Sequence, residues 1–89
     1  MDLTECRAEI DVLDAQIIEL FQKRMEVCAE VAAYKKAHGL PVLNAGREDA
    51  KLADVAARTK PALRPSLDDL YRQIFRISRE YQTALLEQA

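Results

Sequence analysis

The first third of the chain carries apolar residues at alternating steps of three and four positions. Between Leu3 and Lys36 the sequence contains no Gly and no Pro. The residues of this apolar seam are Leu3, Cys6, Ile10, Leu13, Ile17, Leu20, Val27, Val31 and Tyr34. Such heptad spacing is typical of a helix that packs along another helix. It predicts one long helix from Leu3 to about Lys36, begun by a capping box of Asp2 and Glu5 and ended by Gly39.

The rest of the chain predicts two more helices. Asn44 is a suitable N-cap for a second helix from about Ala45 to Arg58. After a linker with two prolines, Ser66 and Asp69 resemble a capping box that opens a third helix, from about Leu67 to Leu86. The apolar residues that this helix is expected to turn inward are Leu67, Leu70, Tyr71, Ile74, Phe75, Ile77, Tyr81 and Leu85. The sequence therefore predicts an all-α fold of three helices, long, short and long.

The first predicted helix is too long for a compact domain of this size. Its 34 residues would span about 50 Å, whereas a folded chain of 89 residues has a radius of gyration of about 12 Å. The remaining residues cannot cover the apolar seam. We therefore expect residues 1–89 to form a single domain that pairs with a second copy as an obligate homodimer.

Composition narrows the class of protein and its partners. Hydrophobic residues make up 49% and charged residues 31%, which favours a folded helical protein over a disordered one. The formal net charge of −2 argues against nucleic acid or an anionic membrane as the main partner. The sequence contains no apolar run long enough to span a bilayer, and its N-terminus is acidic, unlike a signal peptide. We expect a cytoplasmic protein.

The two cysteines predict neither a disulfide nor a metal site. Cys6 and Cys28 lie on the same predicted helix, about 33 Å apart, which is too far for a disulfide. The single His and the lack of a Cys-x-x-Cys spacing do not suit a zinc site. We expect two reduced thiols, with no metal and no cofactor.

A cation interrupts the apolar seam. Arg24 stands where the heptad requires an apolar residue, and burying a charge is costly unless a negative group meets it. Lys35 follows eleven residues later, close to three whole turns, so it shares a face with Arg24. Arg7 lies about 25 Å before Arg24 and about 100° round the helix. If Arg7 serves the same site it must come from the other protomer; alternatively Arg7 is a surface residue and Arg24 extends its charged end to solvent.

The third predicted helix places two polar residues among apolar neighbours. Ser78 and Gln82 stand at i and i+4 and therefore share a face. Buried polar groups need partners, and these two could bind a ligand or bond each other. The adjacent Arg47 and Glu48, at the start of the second helix, could equally be ordinary surface charge.

Together these side chains describe a binding pocket. Several cations favour a ligand with more than one anionic group, most simply carboxylates, which Arg binds through two parallel hydrogen bonds. The sequence supplies no nucleophile with its base, no metal cage and no Gly-rich phosphate loop. Such a pocket could only bind, or could catalyse a reaction that needs positioning and electrostatics alone.

The order and spacing of these residues resemble the small all-helical chorismate mutase family over nearly the whole chain. The matching elements are Arg7 in Cys-Arg-Ala-Glu-Ile-Asp, Asp14, Arg24 in Gln-Lys-Arg-Met, Lys35 in Ala-Tyr-Lys-Lys-Ala-His-Gly-Leu-Pro-Val, Arg47-Glu48, and Tyr71-x6-Ser78-x3-Gln82. The resemblance implies an intertwined homodimer of three-helix protomers with two equivalent sites. It also implies an isomerase of aromatic amino acid biosynthesis that rearranges chorismate to prephenate by an intramolecular Claisen shift.

The resemblance further implies roles for individual residues. Arg24 and the partner's Arg7 would hold the two substrate carboxylates, with Ser78 assisting. Lys35 and Gln82 would hydrogen-bond the ether oxygen, where negative charge develops as the C–O bond breaks.

The remaining implied contacts concern the ring of the substrate. Glu48, with the backbone around Arg47, would take the ring hydroxyl. Asn44 stands where the family often has Asp, which keeps an acceptor but removes a charge. The residues with an expected catalytic role are Arg24, Lys35, Glu48 and Gln82.

Three alternatives stay open. If the family pattern is aligned on Phe75 instead of Tyr71, its Ser and Gln sites fall on Gln82 and Leu86. A Leu could not serve the ether oxygen. An isochorismate-pyruvate lyase could use the same scaffold. The chain could also be a non-catalytic helical module for dimerisation or ligand sensing.

Overall fold

Three α-helices make up most of the structure, a computed structural model that describes residues 1–88. Helix α1 spans Leu3–His38, α2 spans Ala45–Arg58 and α3 spans Arg64–Leu86. A short 3₁₀ turn, Pro61–Leu63, leads into α3. Residues 1–88 contain no β-strand, so the predicted all-α fold of long, short and long helices is confirmed.

The ends of α1 follow the capping residues that the sequence indicated. The side chain of Asp2 accepts a hydrogen bond from the Glu5 N–H at 2.8 Å. At the other end, Gly39 adopts the left-handed conformation, with φ +65°, and the Leu40 N–H donates to the Lys35 carbonyl at 2.8 Å. Because Gly39 itself ends the helix, α1 continues two residues beyond its predicted end at Lys36.

The prediction for the start of α3 is wrong. The helix begins at Arg64 rather than Leu67, so Ser66 lies inside its first turn and is not the N-cap. Leu63 occupies the N-cap position, and within residues 1–88 no side chain caps this end. The physical reason is Pro65, which suits the first turn of a helix because its φ is already helical and no N–H is needed there.

The three helices run up, down and up. The Ser78 hydroxyl of α3 contacts the Cys28 thiol of α1, and further along both helices Lys36 Nζ contacts the Gln88 carbonyl at 3.5 Å. Helices α1 and α3 are therefore parallel. Helix α2 runs the other way, since its first turn contacts the C-terminal half of α3 while its end precedes the start of α3. The buried apolar core is small and consists of Ala32, Val55 and Phe75.

The N-terminal part of the apolar seam of α1 is largely uncovered by residues 1–88. Leu13, Ile17 and Leu20 are 55%, 63% and 63% exposed. The radius of gyration is 16.2 Å, against about 12 Å for a compact chain of this length. The first half of α1 thus projects from the body of the chain with its apolar side uncovered by residues 1–88.

No helix within residues 1–88 combines the length and the apolar character needed to cross a membrane.

Candidate functional site

A cavity of about 150 Å³ lies between α1, the segment before α2, the first turns of α2, and α3. Its lining residues are Arg24, Cys28, Val31, Lys35, Val42, Asn44, Arg47, Glu48, Lys51, Phe75, Ser78, Arg79 and Gln82. Seven of the eight residues predicted from the sequence are in this set. Arg7 is the exception: it is exposed on the projecting half of α1, about 25 Å along the helix from Arg24.

Arg24 is half-buried at the edge of the packing between α1 and α3. Its guanidinium carbon lies 5.9 Å from the centre of the Phe75 ring, and its Nη1 lies 3.7 Å from the sulfur of Cys28. A cation over an aromatic face recovers part of the stabilisation lost on partial burial. This contact explains how the apolar seam tolerates an arginine, and it leaves the remaining N–H groups available to the cavity.

Lys35 is held in the cavity by the extended segment that follows Gly39. Its Nζ donates a hydrogen bond to the Val42 carbonyl at 2.6 Å. Pro41 keeps Leu40 out of the helical conformation, so the chain turns away from α1 and brings the Val42 carbonyl back beside Lys35. An ammonium group has three donors, and two of them remain for a ligand.

Ser78 and Gln82 form a buried polar pair on α3. Gln82 Nε2 donates to Ser78 Oγ at 3.0 Å, and Ser78 Oγ donates to Cys28 Sγ at 3.1 Å. Both residues are 6% exposed. The two side chains therefore do bond each other, which the sequence allowed, and both also line the cavity. Leu86 is not part of the lining, so the alignment on Tyr71 gives the polar pair that faces the cavity.

The Gln82 carbonyl oxygen is left without a partner. Oε1 is buried and accepts no hydrogen bond within residues 1–88. A buried unsatisfied acceptor costs about 1–3 kcal/mol. Turning the amide by half a rotation would let Ser78 donate its single O–H to Oε1 instead of to Cys28, and it would free both amide N–H groups for a ligand.

Glu48 is paired with Arg79, a residue that sequence reasoning missed. Arg79 Nη1 lies 2.5 and 2.6 Å from the two carboxylate oxygens of Glu48. The Arg79 side chain is 35% exposed and the Glu48 side chain 23% exposed, so Glu48 is more than ordinary surface charge. Asn44 caps α2 by accepting from the Arg47 N–H at 3.0 Å, which fixes the turn that carries Glu48.

Lys51 is a second lining residue that was missed. It lies 3.3 Å from Asp54, and hydrogen bonds from Arg58 and then Lys51 lower the pKa of the Asp54 carboxyl. Asp54 therefore stays ionised at neutral pH and holds Lys51 near the cavity. The available signal was helical spacing: Lys51 stands three residues after Glu48, and Arg79 three before Gln82.

The cavity is strongly positive on a chain whose net charge is −2. Five cations line it against one carboxylate, and the cations are Arg24, Lys35, Arg47, Lys51 and Arg79. Such a concentration of positive charge favours a ligand with two anionic groups. None of the described lining residues pairs a nucleophile with a general base, so this arrangement is suited to binding and orienting an anionic ligand and to stabilising negative charge.

The fold and the site define a helical protein with a positively charged cavity, and its sequence places it in a known family. Residues 6–83 match the family described as chorismate mutase type II. The chain belongs to the chorismate mutase type II family. The resemblance predicted from the sequence is thereby confirmed, as is the assignment to a family of isomerases.

Relatives of the chain include longer proteins. It is 37% identical to the T-protein of Enterobacter agglomerans over 82 residues, covering 86% of this chain and 21% of that protein. It is 46% identical to the T-protein of Haemophilus influenzae over 50 residues, covering 56% of this chain and 13% of that protein. The 4-amino-4-deoxychorismate mutase of Streptomyces venezuelae is 35% identical over 46 residues, 52% of this chain and 45% of that protein.

The chain thus spans less than half the length of each of these relatives. The comparison with solved structures gives no significant match.

Proposed function

We propose that this chain catalyses the rearrangement of chorismate to prephenate. The observation that carries the proposal is the cavity in which Arg24, Lys35 and Gln82 meet, with cations in excess. Family membership supports the same substrate. The proposal includes the role in aromatic amino acid biosynthesis, the cytoplasmic location and the single domain that were expected from the sequence.

The chemistry requires no proton transfer. In the Claisen rearrangement one C–C bond forms as the ether C–O bond breaks, within one molecule, so the protein must hold a folded conformer of the substrate. Arg24 binds one carboxylate, with Ser78 assisting. Lys35 and Gln82 donate hydrogen bonds to the ether oxygen, where negative charge accumulates in the transition state.

Glu48 completes the site by accepting a hydrogen bond from the ring hydroxyl. A carboxylate has about four acceptor positions, so the bond with Arg79 leaves room for this contact. Asn44 and Arg47 position Glu48 through the N-terminal turn of α2.

The family resemblance gives the second substrate carboxylate to a cation of the other protomer. We assign it to the partner's Arg7 in an intertwined homodimer. The uncovered apolar seam of α1 supports this assembly, because a second copy would bury the same residues that are exposed in one chain.

Leu13→Glu is expected to convert this dimer into monomers and to abolish activity. At a position that is 55% exposed in the isolated chain, the substitution should cost at most about 0.5 kcal/mol in a monomer. At a dimer interface the buried carboxylate would cost several times more. Sedimentation equilibrium over a range of protein concentrations measures the change.

Ala15→Glu is the matched control, because it adds the same charge on the opposite, polar side of α1. This variant should remain dimeric and active. If Leu13→Glu also keeps the dimer mass and the activity of the unmodified chain, the seam is not the interface.

The 4-amino analogue of chorismate is the compound against which the preference for chorismate can be tested. The Streptomyces venezuelae relative is named as a mutase of 4-amino-4-deoxychorismate, which carries an amino group where chorismate has its ring hydroxyl. In the proposed site this group would face Glu48.

The deciding experiment incubates the purified chain with chorismate. We expect loss of the diene absorbance and formation of prephenate. Release of pyruvate from isochorismate, without prephenate from chorismate, would identify the lyase instead. A folded dimer that does neither would support a non-catalytic module.

A further inference from the structure

The ion pair between Glu48 and Arg79 sets the charge at one end of the cavity. One guanidinium nitrogen contacts both carboxylate oxygens, at 2.5 and 2.6 Å. Both side chains line the cavity, and the Glu48 side chain is 23% exposed. The charge of Glu48 is therefore neutralised inside the protein before any ligand arrives.

The neighbouring lining residues add no negative charge. Asn44 is neutral, and its side-chain oxygen already accepts from the Arg47 N–H. Arg47 and Lys51 are cations in the same lining. A ligand group beside Glu48 can therefore donate a hydrogen bond to its carboxylate. The electrostatic potential at this position is nevertheless not negative.

A hydroxyl group and an ammonium group of a ligand differ in how favourably they bind beside Glu48. A neutral hydroxyl needs only a free acceptor position on Glu48. An aliphatic amine is mostly protonated at neutral pH, and its positive charge would meet Arg79 and its neighbours. A repulsive element of this kind discriminates between ligands of nearly equal shape.

We propose that Arg79 is a specificity-determining residue, which restricts the site to a ring hydroxyl and rejects a ring ammonium. This inference rests on the proposed function. Arg79 acts through its pairing with Glu48, and a purely structural link between α2 and α3 would not affect the choice of substrate.

The test compares kcat/KM for chorismate and for its 4-amino analogue. The unmodified chain is expected to prefer chorismate by at least about tenfold, since like-charge juxtaposition strongly disfavours the wrong ligand. Arg79→Gln keeps a hydrogen-bond donor but removes the charge, and it should lower this preference by about tenfold. Arg79→Lys keeps the charge and should retain the preference.

Arg76→Gln is the matched control. Arg76 stands on the same helix, pairs with Glu80 on the surface and does not line the cavity. Its removal should leave the preference unchanged. An equal preference in Arg79→Gln and Arg76→Gln, with chorismate turnover intact in the unmodified chain, overturns the inference.

A second variant covers the case in which Arg79→Gln does not fold. Glu48→Gln leaves Arg79 unpaired, so the preference for chorismate should rise rather than fall. A fall in that variant also overturns the inference. If the unmodified chain converts neither compound, the proposed function fails, and the role of Arg79 in specificity fails with it.

Discussion

Replacing Arg24 by alanine is expected to lower kcat/KM for chorismate by about a thousandfold. In the proposed site this guanidinium binds a substrate carboxylate, and nothing else on the α1 face can replace it there. Lys35 is eleven residues away, about 16 Å along the helix, and is tied to the Val42 carbonyl. The measurement is steady-state kinetics on the purified variant, with circular dichroism to verify the helical content.

Although the same substitution should strongly lower activity, it should not destabilise the fold. Arg24 is a half-buried cation in an otherwise apolar seam, so its removal relieves a desolvation cost while losing the contact with Phe75. We expect a free energy of unfolding that is unchanged or slightly higher.

Lys23→Ala is the matched control for Arg24→Ala. Lys23 is adjacent in sequence, its side chain is 64% exposed, and it pairs with Glu19 on the surface. Its loss should change neither activity nor stability appreciably. Equal activity in the two variants would mean that Arg24 only extends to solvent and takes no part in the chemistry.

The helical architecture could be predicted from the sequence because its signals are local. The heptad spacing and the absence of Gly and Pro define α1, and Asp2, Gly39 and Asn44 mark helix ends through hydrogen bonds to their own neighbours. The prediction for the start of α3 was wrong because it also relied on a local signal. Ser66 is a good cap in isolation, but Pro65 and the preceding 3₁₀ turn begin the helix earlier.

Residues of the candidate site were predictable when they broke a pattern. Arg24 stood out in an apolar seam, and Ser78 and Gln82 stood out on an apolar face. Arg79 and Lys51 broke no pattern, since a cation on the polar side of a helix is ordinary. Their position in the cavity depends on how α2 packs against α3. This packing cannot be deduced from the spacing of residues along the chain.

A mixture of two inactive variants is expected to regain activity if the site spans two protomers. Arg7→Ala and Arg24→Ala chains each lack one of the two carboxylate-binding arginines in every site of their own dimers. In a mixed dimer, one site combines an intact Arg24 with the partner's intact Arg7, while the other site lacks both. Unfolding and refolding an equal mixture gives mixed dimers for half of the molecules, so about one quarter of the unmodified activity should return.

The control mixture pairs the unmodified chain with the Arg7→Ala/Arg24→Ala double variant. Every site of its mixed dimers lacks one arginine, so only the unmodified dimers work and about one quarter of the activity should remain. A site built within one chain would instead retain about one half in this mixture and would recover nothing from the two single variants. Since α1 carries Arg7 and Arg24 about 25 Å apart on a rigid helix, recovery can come only from two chains that cross, and the absence of recovery would remove Arg7 from the site.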